Sequence, residues 1–296
     1  MTRTDVSFTV DGEQCAAWLY LPEGETARFP AVVMAHGLGA VRTMRLDRIA
    51  ESFCKAGYAC LVFDYLRTGD SSGEPRQVVS VLSQGREWSA AVEFVRALAE
   101  VDPERVALWG TSMGGGHAIM HASSDPRIAA VLLHSPFTDG LRAAVQTPPA
   151  QAIGPLSYAL RDGLRRLTRP AAPLMIPIAS RDGETALIAE PDALAQLERL
   201  MPSGVDIVNE LAARVILELP RFRPIRHIGR IKAPVFFAAG TRDAMVPPEA
   251  VRRAASRVGR AEVHEYDAGH FDMFDEARID QLLADQVAFL KRHVPT

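Results

Sequence analysis

The sequence predicts an α/β fold built on a mostly parallel sheet with helices on both faces, and three observations carry this. Short, largely apolar runs recur at Ala31–Ala35, Ala59–Phe63, Arg105–Trp109, Ile128–Leu133 and Val235–Ala239, as strands buried on both faces require. They alternate with helix-period segments around Ser89–Leu98, Glu249–Val258 and Ile279–Leu290. The chain has 296 residues, 48% of them hydrophobic and 23% charged, with a net charge of −3. That is enough apolar surface for a sizeable core, in one large domain or two smaller ones.

Taken in order, residues 5 to 21 alternate as Val6, Phe8, Val10 and then Ala17, Leu19, Leu21 around Asp11-Gly12, which predicts an antiparallel hairpin. The apolar runs follow, each separated by helical sequence. In Ile279–Leu290, residues Ile279, Leu282, Leu283, Gln286, Val287 and Leu290 keep one face mainly apolar. The stretch from Pro136 to Pro234 breaks the rhythm: no strand is expected there, and ten of the twenty prolines fall between Pro148 and Pro224. Leu156, Leu160, Leu164 and Leu167 share one expected helical face, and Val208, Leu211, Val215 and Leu219 another. Pro-punctuated helices between two strands read as a lid with a hydrophobic underside, with an insertion packed on the sheet edge as the alternative.

Several partners are not expected. The 33 basic residues include only Lys55, Lys232 and Lys291 as lysines and are interspersed with 36 acids, so no basic patch points to nucleic acid. The longest buried-looking run, Ile128–Leu133, is far short of a membrane span, and Met1-Thr2-Arg3-Thr4-Asp5 does not open a signal peptide. Cys15, Cys54 and Cys60 lack CxxC spacing, so we expect buried thiols in a reducing cytoplasm and no metal site.

The chemistry is expected at three places. Gly110-Thr111-Ser112-Met113-Gly114 follows the strand Arg105–Trp109 and precedes a helical stretch, Gly115 to Ala122. In that context the glycines permit a sharp turn that lifts the Ser112 side chain clear, with the Met113 amide aimed at a developing oxyanion. A plain glycine-rich turn or a phosphate loop is the alternative, but the supporting Lys or acid of a phosphate loop is not evident. A serine hydroxyl is a weak nucleophile without a base and an orienting acid. Asp243 lies just past the strand Val235–Ala239, and His270 lies in the loop after the strand-like Val263-His264-Glu265-Tyr266.

The order Ser112, Asp243, His270, each beyond a strand's carboxyl end, resembles the α/β-hydrolase superfamily over essentially the full length, closest to capped esterases and dienelactone-hydrolase-like or prolyl-peptidase-like members. Met34-Ala35-His36-Gly37-Leu38-Gly39 is similar to the family's HG loop. The resemblance implies an eight-stranded sheet with a helical cap inserted after strand six, so that residues 1–136 and 233–296 form the catalytic domain and 137–232 the cap. It implies backbone oxyanion donors at Leu38 and Met113, with His36 fixing the loop. Phe63 to Gly73 is similar to a structural turn of the family, with Asp64 and Arg67 bracing it. Asp139 is a rival acid because some members place it there, whereas Asp272 and Asp275 lie on the wrong side of His270. His117, His121, His134 and His264 are read as packing or surface residues. Tyr158 and Phe222 are read as cap residues, lining a pocket or packed in the cap core.

The implied reaction is acyl transfer through a serine ester, without cofactor or metal. An apolar cap favours a medium-sized, partly hydrophobic ester or lactone. The alternatives are acyl transfer or elimination on an acylated natural-product intermediate, and a ligand-binding protein of low turnover. The expected partner is that small-molecule substrate, with no nucleic acid and no membrane; a homodimer is allowed.

Overall fold

The computed structural model describes residues 1–24, 28–169, 171–180, 184–190 and 192–296. The hairpin forms as the alternation predicts: β1 (Thr2–Val10) pairs antiparallel with β2 (Glu13–Leu21), with Val10 opposite Glu13. Its two turn residues, Asp11 and Gly12, have φ of 52° and 84°, the left-handed pair that matches strand twist in a two-residue turn. Behind it come β3 (Phe29–Ala35), α1 (Leu46–Lys55), β4 (Ala59–Phe63), α2 (Val81–Arg96), β5 (Val101–Thr111), α3 (Ser112–Ala122) and β6 (Ile128–His134). After a long excursion the sheet resumes with β9 (Val235–Gly240), α7 (Pro248–Ala255), β10 (Ala261–Tyr266) and α8 (Glu276–His293).

These strands make one eight-stranded sheet in the order β1-β2-β4-β3-β5-β6-β9-β10. Only the β1–β2 and β2–β4 pairings are antiparallel. One face packs on α2, α3 and α7 through residues such as Phe63, Trp88, Ile119 and Val251. The other packs on α1 and α8 through Phe53, Trp109, Phe236 and Phe289. Both faces are dry because parallel strands need crossover helices, and those helices bury their apolar stripes on the sheet. Helix α1 was not singled out from the sequence, and α2 begins eight residues before the expected Ser89.

The excursion between β6 and β9 corrects two expectations. It holds α4 (Gly140–Gln146), α5 (Pro149–Thr168), α6 (Ala193–Leu200) and four short 3₁₀ turns, and also a small antiparallel pair, β7 (Met175–Pro177) with β8 (Glu210–Ala212). Three-residue strands are too short to show an alternation in sequence. Residues 170, 181–183 and 191 of this segment lie outside the described residues.

The leucine face of α5 is the second correction. Leu156, Leu160, Leu164 and Leu167 are 44%, 53%, 68% and 81% exposed, so they do not form a buried underside. Asp162, fully buried on the opposite side, explains the orientation. Its carboxylate accepts from the Leu174 amide at 2.7 Å, the Arg214 amide at 2.9 Å and the Arg214 guanidinium at 2.7 and 2.9 Å. Once desolvated, that charge has to keep all four donors, so the helix turns its polar anchor inward and its leucines out. The second expected face is not a helix: Leu211 sits in β8, Val215 and Leu219 in 3₁₀ turns, and Val208 is exposed.

All three cysteines are buried and free, and burial raises each thiol. Among the described residues no helix is long and apolar enough to cross a membrane, and no cluster of His, Cys, Asp and Glu suits a metal ion.

One buried acid sets a pH dependence of stability. Glu87 on α2 accepts from the Leu66 amide at 2.9 Å and from the Ser83 hydroxyl, yet burial pushes its carboxyl from 4.5 up to about 7. Folding therefore favours the protonated acid: its contribution is complete below pH about 4.5 and is lost as pH rises through about 7. Glu87→Gln keeps an acceptor for Leu66 without the charge. Urea unfolding at pH 5 and pH 8 should show the wild type losing about 3 kcal/mol relative to this variant; equal pH dependence would refute the assignment.

Candidate active site

At the carboxyl ends of the central strands, β5 runs directly into α3 at Ser112. Ser112 has φ of +51°, the left-handed region that costs an L-residue roughly 1–2 kcal/mol. Close packing enforces the turn. A Cβ on Gly114 would lie 2.4 Å from the His36 carbonyl oxygen, and one on Gly37 would lie 2.9 Å from the Ser112 Cβ. The loop after β3 and the turn after β5 therefore touch backbone to backbone, and only glycine fits there.

The loop after β3 is itself fixed. The buried His36 donates from Nε2 to the Met44 carbonyl at 2.6 Å, and burial lowers its imidazole to about 4, so it is neutral and structural as expected. The Tyr65 hydroxyl donates to the His36 carbonyl at 3.2 Å. Leu38, next in this loop, lines the same pocket as Ser112 and Met113, and among the described residues its amide has no acceptor. Met113 is the second residue of α3, where an amide has no intrahelical acceptor. Among the described residues neither amide has a backbone acceptor, and both residues line the pocket with Ser112.

Asp243 and His270 come together from the loops after β9 and β10. His270 Nδ1 lies 2.8 Å from Asp243 Oδ2, and the other carboxylate oxygen accepts from the Val246 amide at 2.8 Å. A carboxylate only accepts, so Nδ1 carries the proton and Nε2 offers a lone pair. Burial pushes the Asp243 carboxyl up, but the His270 imidazole and the Val246 amide outweigh it and hold the acid below the usual carboxylate range. Asp272 accepts from the Gly269 amide at 2.9 Å and so braces the loop that carries His270. Ser112, His270, Leu38 and Met113 all line one pocket of about 180 Å³. Among the described hydrogen bonds none joins the Ser112 hydroxyl to the imidazole; both side chains line the same pocket.

The other candidates are placed elsewhere. Asp139 caps α4 through the Arg142 amide at 3.2 Å and takes a forked ion pair from Arg223 at 2.9 and 3.1 Å, so its lone pairs are committed away from His270. Asp64 is structural but its partner is Arg42, while Arg67 faces Glu13 at 3.6 Å. His117 is buried, donates from Nε2 to Gln84 Oε1 at 3.0 Å and packs on Phe222 at 4.7 Å, which makes Phe222 a packing residue. His134 is fully buried against Phe274, and His264 stacks on Phe236. His121 lies 3.4 Å from the Ser89 hydroxyl. Sequence reasoning missed Ser135, buried beside this site with φ of +41°, and Phe137, whose amide donates to the Ser112 carbonyl at 2.8 Å. Neither carries a sequence signal beyond following β6.

The rest of the pocket is largely apolar, and much of it comes from the excursion: Phe137, Ile178, Leu187, Ile188, Leu197, Leu200 and Leu219. Apolar walls around a few convergent polar groups are the usual form of a small-molecule site.

The profile of the alpha/beta hydrolase family matches residues 32–284 of this chain. The chain is 43% identical over 291 residues to the quorum-quenching protein AidA of Acinetobacter baumannii, covering 98% of this chain and 95% of that protein. It is 32% identical over 300 residues to a polyketide transferase of Stachybotrys chlorohalonatus, covering 99% and 98%. Among solved structures it is similar to the α/β hydrolase GrgF from a Penicillium species, with a TM-score of 0.84 at 26% identity and full coverage of both chains. The chain belongs to the alpha/beta hydrolase family and is an enzyme of the hydrolase type.

Proposed function

We propose that the protein is a serine hydrolase that cleaves a carboxylic ester or lactone of a medium-sized, partly hydrophobic substrate through an acyl-enzyme on Ser112. The observation that carries this reading is the 2.8 Å Asp243–His270 contact in the pocket that Ser112 enters from a strained turn.

His270 Nε2 removes the hydroxyl proton as Ser112 Oγ attacks the carbonyl carbon. The Leu38 and Met113 amides receive the developing oxyanion, and Asp243 stabilises the imidazolium. The imidazolium gives its proton to the leaving alkoxide, and the C–O bond breaks. Water, deprotonated by the same imidazole, then attacks the acyl-serine and releases the acid. In a lactone the leaving alkoxide stays tethered to the acyl group.

Residues 137–232 act as the cap. They supply most of the apolar wall, which excludes water and selects the acyl group. The likeness to a polyketide transferase supports a second reading, in which an alcohol or amine replaces water as the acyl acceptor. The three free, buried thiols fit a reducing compartment such as the cytoplasm.

A fluorophosphonate should label wild type at Ser112, and Ser112→Ala should fold normally, resist labelling and lose roughly 10⁶ in kcat. Labelling at another residue would refute the nucleophile. Asp243→Asn should lower kcat by about 10⁴ through the wrong imidazole tautomer, whereas Asp139→Asn should be mild; steady-state kinetics showing the reverse ranking would move the acid. Leu197→Ala and Leu219→Ala should shift kcat/KM ratios among acyl chain lengths by about 1–3 kcal/mol for each methylene-scale change, and equal shifts for all chains would refute the cap's role in selection.

A further inference from the structure

Beside the catalytic pocket lies a second, larger cleft of about 460 Å³. Phe137, Leu187, Ile188 and Met245 line both cavities, so the two share a wall. Their chemistry differs. The catalytic pocket is largely apolar beyond its reacting groups, while the cleft carries Asp139, Arg142, Glu190 and Arg253 among its lining residues.

These charges do not cancel where they stand. Asp139 is already neutralised by the forked pair from Arg223. Arg142 lends its backbone amide to Asp139, but among the described residues neither its guanidinium nor that of Arg253 pairs with a carboxylate. Burial and the nearby Arg142 charge both loosen the proton on the Arg253 guanidinium; Asp139 opposes them and Arg257 adds to them. The exposed Arg142 and the partly buried Arg253 thus line one cleft, and among the described residues neither has a carboxylate within ion-pair distance. A planar guanidinium pair of this kind matches the oxygens of a carboxylate or a phosphate.

We propose that Arg142 and Arg253 form a subsite for an anionic group of the substrate, a carboxylate or a phosphate, that lies across the shared wall from the carbonyl at Ser112. The inference rests on acyl transfer at Ser112 and specifies its substrate as an ester, or a thioester cleaved by the same acyl transfer, that carries an acid function several bonds from the scissile carbonyl.

Two matched substrate pairs test it. Mono-p-nitrophenyl adipate against p-nitrophenyl hexanoate places a carboxylate on the acyl end, and hexanoyl-S-phosphopantetheine against hexanoyl-S-pantetheine places a phosphate on the leaving group. In wild type, kcat/KM for the anionic member should exceed that of its neutral match at least tenfold in one pair, and that pair identifies the anion. The ratio should fall at least tenfold in Arg142→Gln/Arg253→Gln, fall with added salt in wild type, and return in part with lysine at both positions. Ratios near one in wild type for both pairs, or equal losses on anionic and neutral members, would overturn the proposal. If no substrate is turned over, the reading of Ser112 fails separately. Titration calorimetry with hexyl phosphate and adipate then decides the subsite: binding to wild type that the double glutamine variant loses supports it, and no binding to wild type overturns it.

Discussion

The backbone contact between the loop after β3 and the turn after β5 is the constraint on which the site depends. Gly114 lies against the Ala35 and His36 carbonyls, and Gly37 against Ser112 itself. Any side chain at these glycines would separate the two segments. Their contact holds Ser112 in its left-handed conformation and places Leu38, whose amide has no acceptor among the described residues, in the same pocket. The strain at one residue is small against the burial on both sheet faces, where residues such as Trp88, Phe63 and Phe236 are almost wholly removed from water. Stability comes from the sheet, and the turn uses a little of it to hold a reactive geometry.

The same arrangement explains how Asp243 and His270 come to face each other. Parallel strands present their carboxyl ends on one side, so loops that are distant in sequence meet there. Asp243 and His270 are 27 residues apart, yet each leaves a neighbouring strand of the β9–β10 pair. Asp243 stays ionised in a buried place because the imidazole and the Val246 amide both favour the charge. His36 and His134 are also buried near the site but stay neutral, since burial lowers them to about 4 and about 3. Hydrogen-bond partner, not residue type, distinguishes His270, which faces the Asp243 carboxylate, from His36, which donates to a backbone carbonyl.

Much of this was legible in the sequence, for physical reasons that vary along the chain. The hairpin at Asp11-Gly12 and the apolar strands could be read because strand period and turn chemistry are local. The positions of Ser112, Asp243 and His270 past strand ends could be read because each follows a recognisable apolar run. The segment between β6 and β9 could not. Its leucine stripe on α5 looked like a buried face, but the direction of that helix is decided by Asp162, whose partners at Leu174 and Arg214 lie 12 and 52 residues away. The β7–β8 pair likewise depends on a distant partner. The Arg42 partner of Asp64, 22 residues away, is a third contact that no local pattern announces.

The central claim is that the carbonyl carbon becomes bonded to Ser112 during turnover, and trapping that bond tests it most directly. Wild-type enzyme mixed with an excess of a slowly hydrolysed ester, quenched in acid within the first turnover and digested, should yield the peptide containing Ser112 heavier by the mass of the acyl group. Once free ester is removed, the adduct should disappear with a rate constant no smaller than the steady-state kcat. Product formed while that peptide keeps its unmodified mass at every quench time, or an acyl group on a different residue, would contradict the account.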